Sequence, residues 1–334
     1  MSQHRRVSPT SSDFFVVHGA DHSPWAQTVA IALRLKGLPF RTTFAFTPAK
    51  FLRTGFLVPT LFAGGLELNG SDSALRHLES LEGVGTPIKL SNVYEGEYIY
   101  KAEELFFNYV FGRITSFGSF VETWSRESEI GGTPSQKMLS AFLRSLAFYQ
   151  FFSMLSWAAF AHKKKLDVGR VRDNLAWWAE QLKASGGPFL CGAEPTGVDA
   201  VLFGQIQCMS AATGSTGIAL RQLEHEPELL AWCRRMNTAV DGTDGCEWLL
   251  SRSLESSDPA RWGGADAASM AERVTFKAGL IFWGTVGLPV TVAAIAYHAA
   301  IRGKSPNRSL RTFIEVRKRR RAEKAAAEKA KLMH

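Results

Sequence analysis

The order of elements between residues 14 and 71 constrains the fold more than any other feature of this chain. Residues 14–18 form a short run of aromatic and β-branched side chains, which predicts a buried strand. Ser23 follows as a helix N-cap, and Pro24 takes the favoured first position of an apolar helix over residues 25–35. Gly37 ends that helix. The segment therefore predicts a strand, a turn and a helix packed on a sheet.

Further strands follow this helix and complete an α/β domain. They are predicted at residues 40–46, 60–62 and 66–68. Gly64 and Gly65 form the hairpin turn between the last two strands. Ser71 then opens another helix. The first 82 residues thus predict a short leader, 1–13, and a small α/β domain, 14–82.

Three motifs in this domain resemble glutathione transferases of the plant tau and the omega classes. Those classes open the first helix with Ser-Pro-Phe or Cys-Pro-Phe and end it with Lys-Gly; this chain has Ser-Pro-Trp at residues 23–25 and Lys-Gly at 36–37. Val-Pro-Thr-Leu at residues 58–61 is similar to the family's Val-Pro-x-Leu, and Ser71 falls on the family's serine before its third helix. The resemblance implies a thioredoxin-like N-terminal domain and glutathione as cosubstrate.

The resemblance also implies a site. Ser23 falls on the catalytic residue, Val58 and Pro59 on the positions that bind the glutathione backbone, and Ser71 on the residue that receives the γ-glutamyl carboxylate. A hydroxyl at a helix N-terminus stabilises a thiolate by hydrogen bonding and by the positive end of the helix dipole. The alternative is that Ser23 is only an N-cap, and the residues alone leave both interpretations open.

Departures from the family pattern keep the function open between two classes. Gly70 stands where the family usually has Glu or Asp to meet the glutathione amine, and Trp25 replaces a smaller Phe. The connection from Lys36 to Val58 is short, and its helix is reduced to about residues 48–52. Similar shortening occurs in non-catalytic relatives such as metaxins. The chain is therefore either a transferase or reductase of hydrophobic electrophiles, or a non-catalytic subunit of a mitochondrial membrane complex.

The sequence predicts an all-α domain over residues 83–240, similar to the helical C-terminal domain of glutathione transferases. Its helices are predicted at residues 95–114, 138–161, 167–182, 200–209 and 227–236. Residues 188–199 look like the family's Phe-Leu-x-Gly-x-x-Pro-Thr-x-x-Asp. Within that motif, Thr196 and Asp199 predict a reciprocal capping box at the start of a buried helix.

The C-terminal region predicts a membrane anchor. A linker over 241–273 is followed by residues 278–300, which carry no Asp, Glu, Lys or Arg and are long enough to cross a bilayer. Trp283 and Tyr297 lie near the two ends of this segment, as interfacial residues do. A core helix at this place would lack a partner, so a C-terminal transmembrane helix is the preferred interpretation. The expected location is an organellar membrane, with the mitochondrial membrane favoured.

Charge is concentrated after that segment. Residues 301–334 hold 12 Lys and Arg against 3 Asp and Glu, whereas the rest of the chain holds 27 against 28. A body of net charge −1 argues against specific nucleic-acid binding, and a tail of +9 is suited to polyanions. The four cysteines show no metal-ligand spacing, so no metal is predicted. Expected partners are a membrane and either a membrane-protein complex or a second copy of the chain.

Overall fold

A computed structural model describes most of the two predicted domains and one further helix. The described ranges are residues 15–19, 23–43, 59–95, 97–111, 133–161, 169–211, 225–241 and 268–287, with the positions 118, 121–122, 125, 223, 289, 292–293 and 296–297. Val58, the predicted short helix over 48–52, and most of the linker and tail lie outside these ranges.

The N-terminal half contains a four-stranded sheet. Its strands are β1 (Phe15–His18), β2 (Phe40–Thr43), β3 (Thr60–Ala63) and β4 (Leu66–Asn69), in the spatial order β2-β1-β3-β4. β1 and β2 are parallel, while β3 pairs antiparallel with both β1 and β4. The parallel pair needs a crossover, which α1 (Pro24–Leu35) supplies. This arrangement confirms the thioredoxin-like N-terminal domain.

Helix α1 is buried on nearly all sides because it lies between the sheet and the helical half. Ala26, Val29, Ala30 and Leu33 have no exposed surface, and the polar Gln27 and Thr28 are also buried. The second helix of this half, α2 (Ser71–Ser80), buries Ala74, Leu75 and Leu78 and packs beside α1.

The C-terminal half is helical, as predicted. After a 3₁₀ helix (Ser91–Tyr94), the helices are α3 (Tyr98–Phe111), α4 (Pro134–Ala161), α5 (Gly169–Ser185), α6 (Gly197–Ala211) and α7 (Pro227–Asp241). Helix α6 is central and packs against both α1 and α3. Gly204 permits a close approach there, because a Cβ at this position would lie 3.0 Å from the Pro24 carbonyl oxygen of α1.

The predicted capping box at the start of α6 is right in one of its two bonds. The Asp199 carboxylate accepts the Thr196 backbone N–H at 2.9 Å, as a capping box requires. The Thr196 hydroxyl, however, donates to the same carboxylate at 3.0 Å. Asp199 also accepts the Leu190 backbone N–H and the Trp232 indole N–H at 2.9 and 2.8 Å. Burial raises the pKa of Asp199, and these hydrogen bonds oppose that shift.

The predicted transmembrane helix is wrong. Within the ranges that the structure describes, none of the helices combines the length and apolarity that crossing a bilayer requires. Residues 278–286 of the predicted span belong to α8 (Met270–Val286), which begins earlier and includes Glu272, Arg273 and Lys277. The physical reason is that α8 has the protein partner that the sequence interpretation denied it: α8 packs along α4.

The packing of α8 on α4 is close and partly aromatic. Phe276 of α8 is fully buried and meets Phe148 of α4 with ring centroids 5.9 Å apart. The guanidinium of the buried Arg144 lies 5.6 Å above the same Phe276 ring. A Cβ on Gly279 would lie 2.1 Å from the Ser145 hydroxyl oxygen, so the two backbones approach each other where α8 has no side chain.

Candidate functional site

Ser23 caps helix α1 as the sequence predicts. Its Oγ accepts the Ala26 backbone N–H at 3.4 Å, and its carbonyl oxygen accepts the Gln27 N–H at 2.9 Å. The backbone of Ser23 is extended, and Pro24 starts the helix. The side chain is only 4% exposed. Because a hydroxyl accepts and donates at once, this capping bond leaves the Ser23 proton for a second partner.

Pro59 lies at the same end of the sheet as the start of α1. A Cβ built on Gly19, which follows β1, would be 2.5 Å from the Ala26 Cβ and 3.7 Å from the Pro59 Cβ. The space beside Gly19 is therefore closed by both Pro59 and the first turn of α1. Pro59 is buried, and its carbonyl oxygen accepts the Gly70 N–H at 2.8 Å.

The hydrogen bond between Gly70 and Pro59 also positions Ser71, which follows Gly70 in the chain and is the first residue of α2. Gly70 holds a φ of +86° and a ψ of 152°, a conformation that is essentially restricted to glycine. The acid that the family carries here would be strained in this backbone. The N-terminus of α2 has no side-chain cap, so its first N–H groups remain available to an anion.

Tyr94 and two charged residues surround the start of α2. Burial raises the pKa of the Tyr94 hydroxyl; the Asp72 carboxylate adds to that effect, and the neighbouring Ser71 hydroxyl opposes it. Asp72 is itself buried and accepts Arg76 Nε–H at 2.8 Å. The Arg76 guanidinium lies 5.0 Å above the Tyr94 ring. The α2 N-terminus therefore combines backbone donors with one neutralised carboxylate.

Of the predicted site residues, the structure brings Ser23, Pro59 and Ser71 to one end of the sheet, and Val58 lies outside the described residues. Both halves of the fold also match known family models. Residues 22–81 match the model of the glutathione S-transferase N-terminal domain, and residues 161–235 match that of the C-terminal domain. The chain belongs to the glutathione S-transferase-like superfamily.

Solved structures that are similar to this chain are distant from it in sequence. The tau-class enzyme of mango, Mangifera indica, is 16% identical over 70% of this chain and 93% of its own, with a TM-score of 0.43. A Bombyx mori glutathione transferase is 14% identical over 70% of this chain and 91% of its own, with a TM-score of 0.43. FzlA of C. crescentus is 12% identical over 78% of this chain and 98% of its own, with a TM-score of 0.42. A search of curated proteins gave no match.

In this glutathione S-transferase-like chain, Trp25 connects the candidate site to the helical half. Its indole N–H donates to Glu103 Oε1 at 3.3 Å, and its ring lies 5.7 Å from Phe106 and 6.3 Å from Phe107, centroid to centroid. The Glu103 carboxylate also contributes to the raised pKa of Tyr94. Glu103 thus stands between the start of α1 and the Tyr94 side of α2.

Sequence reasoning missed Tyr94 and Glu103 as neighbours of the site. Tyr94 lies in the connection between the two halves. Glu103 is one of several charged residues in α3, where charged and aromatic residues alternate along the sequence. No local motif marks either of them. Glu103 and Trp25 are 78 residues apart in the chain, and only the packing of α3 on the N-terminal half brings them together.

Proposed function

We propose that this protein uses glutathione as a cosubstrate, either to conjugate hydrophobic electrophiles or to reduce them. The observation that carries the proposal is the Ser23 hydroxyl at the N-cap of α1, with its proton available, at the same end of the sheet as Pro59 and the uncapped start of α2. In this proposal, α2 receives the γ-glutamyl carboxylate of glutathione and the chain around Val58 and Pro59 pairs with its backbone.

In the proposed reaction, Ser23 acts by hydrogen bonding and is not itself consumed. Its O–H donates to the glutathione sulfur, and the positive end of α1 favours the thiolate over the thiol. The sulfur then forms a bond to the electrophilic carbon, while a leaving group departs with the electron pair of the broken bond. Trp25 and Phe107, which are partly exposed, would supply an apolar wall for the electrophile, with the buried Phe106 behind them.

The test is a comparison of Ser23→Ala and Ser23→Thr in the full-length protein. Loss of the hydroxyl should lower the turnover of a model electrophile by about a hundredfold, as expected for losing one donor to a developing anion, and should leave glutathione affinity by calorimetry within a few-fold. Ser23→Thr keeps a hydroxyl and a cap, and should retain most activity. Ser269→Ala, which removes the cap of α8 instead, controls for stability alone.

A second candidate is the non-catalytic subunit of a membrane complex, and two observations favour it. Ser23 is almost fully buried, and Asp72 places a carboxylate in the first turn of α2, where the ligand's own carboxylate would bind. No calorimetric signal at millimolar glutathione with a folded protein would reject the enzyme and support this candidate. A mitochondrial location and a homodimer stay predictions, to be checked by cell fractionation and by light scattering.

A further inference from the structure

Helix α8 keeps one face on the protein and turns the other outward. Its inner face, with Glu272, Phe276 and Gly279, is buried against α4. Five large apolar side chains of α8 are between 45% and 70% exposed, and one of them, Phe282, also meets Phe142 of α4 with ring centroids 5.8 Å apart. We call them the apolar strip: Met270, Val274, Ile281, Phe282 and Val286.

The apolar strip contains one charged side chain. Around the helix, Ala271, Ala278 and Thr285 lie between its members, and Lys277 lies between Val274 and Ile281, where its ammonium donates to Glu122 Oε2 at 2.6 Å. Further along the chain, Val292 and Tyr297 are also exposed. Because the inner face is packed on α4, α8 cannot rotate to hide the strip without losing that packing. Large exposed apolar patches of this kind mark interaction surfaces.

The convex shape of α8 and the charge of the basic tail indicate which partner covers the apolar strip. A single helix face is convex, so it offers no pocket to a small molecule. Residues 301–334, which follow soon after, carry a net charge of +9, and the rest of the chain carries −1. A second copy of the chain would cover apolar surface, but its body offers a net charge of only −1 to the tail. An anionic lipid bilayer offers an apolar interior and negative headgroups together.

We infer that the apolar strip lies flat on the surface of an anionic bilayer, with the basic tail held against the headgroups. The helix lies along the membrane and does not cross it, and the two domains stay on one side. This inference does not depend on the proposed enzymatic function, since vesicle binding needs no glutathione.

The test is flotation of the full-length protein with vesicles of phosphatidylcholine alone or in equal parts with phosphatidylserine. We expect binding to the phosphatidylserine vesicles only, weakened by added salt. Ile281→Asp should weaken binding about tenfold or more, because an apolar side chain that the bilayer would bury is replaced by a charge. Leu66→Asp is the matched control: Leu66 is an exposed apolar residue on β4, 51% exposed, and its replacement should change nothing.

A second variant tests the tail separately. Arg317→Glu, Arg319→Glu and Arg320→Glu together should weaken binding by about a hundredfold and remove most of its salt dependence. Equal binding to both kinds of vesicle, or unchanged binding by Ile281→Asp, would overturn the inference. So would a protein that is dimeric without vesicles and becomes monomeric with Ile281→Asp, because the apolar strip would then be covered by a second copy.

Discussion

Ser23 shows how one side chain is compatible with both a role in folding and the proposed chemistry. The oxygen accepts an N–H of its own helix, while the proton remains available to a ligand, so the N-cap and the catalytic interpretations are compatible. Gly70 shows the reverse case, because its backbone conformation excludes the acid that the family carries there. At this scale, the backbone conformation at a position limits which side chains that position can carry.

Cys191 provides a prediction at the residue scale. This exposed thiol lies in an open cleft of about 680 Å³ beside Asn92, whose amide nitrogen donates to its sulfur at 3.4 Å. Burial raises the pKa of Cys191 above its usual 9.0, while the Thr196 hydroxyl and the Lys89 charge oppose the shift. Its thiolate fraction near neutral pH is therefore small. We expect slow alkylation by iodoacetamide there, with a rate that is still rising above the pH where an ordinary cysteine levels off.

Peptide mapping by mass spectrometry measures this alkylation at each cysteine separately. Cys208 and Cys233 are buried and serve as internal controls that should stay unlabelled in the folded protein. Lys89→Ala removes an exposed positive charge and should move the profile of Cys191 to still higher pH. An inflection below that of a free cysteine would contradict the prediction.

The pairing of α4 with α8 is the feature of greatest interest at the scale of elements. Aromatic residues of α8 pack against α4, as in the 5.3 Å separation of the Phe142 and Trp283 ring centroids, and Gly279 lets the helices approach. Helix α8 begins with a full capping box between Ser269 and Glu272, which fixes its start at the protein surface.

Two glycines on α8 give a matched pair of variants. A Cβ at Gly279 would meet Ser145 and Phe142 of α4, so Gly279→Ala should lower the free energy of unfolding by about 1–3 kcal/mol. A Cβ at Gly284 meets nothing within 4 Å, so Gly284→Ala should raise it by about 0.5–1 kcal/mol through helix propensity. Denaturant unfolding monitored by circular dichroism measures both. Equal effects of the two changes would mean that α8 does not pack on α4 as described.

At the scale of the whole molecule, α8 completes the helical half, although it follows a long predicted linker. Removing it would expose the α4 side chains that it covers, among them Phe148 and Arg144. The basic tail, residues 301–334, lies outside the described residues and carries a net charge of +9, against −1 for the rest of the chain.

Two truncations separate these contributions. A chain that ends at residue 262 should unfold several degrees lower and aggregate more readily, because it loses α8 and exposes apolar surface of α4. A chain that ends at residue 300 keeps α8 and should unfold at the temperature of the full protein. Scanning calorimetry with light scattering measures both, and a fully stable chain ending at 262 would show that α8 contributes nothing to the fold.

Local rules determined much of this protein from the sequence alone. Caps, glycine stops and hydrophobic periods placed α1, the four strands and the helices α3 to α7 near their observed bounds, because those signals act within a few residues. The order of these elements and the Ser-Pro-Trp, Val-Pro and Ser71 motifs were sufficient to identify the superfamily. They also named Ser23, Pro59 and Ser71, which the structure gathers at one end of the sheet.

Tertiary structure alone decided the rest. Hydropathy cannot distinguish a lipid environment from a protein one, since both are apolar, and only the packing of α8 on α4 showed that the predicted span had a protein partner. The contact between Trp25 and Glu103 joins residues far apart in the chain, and no local signal predicts it. The backbone conformation of Gly70 likewise emerged only from the geometry of β4 and α2. Local interactions fix elements, whereas the surface that each element presents depends on what the folded chain places against it.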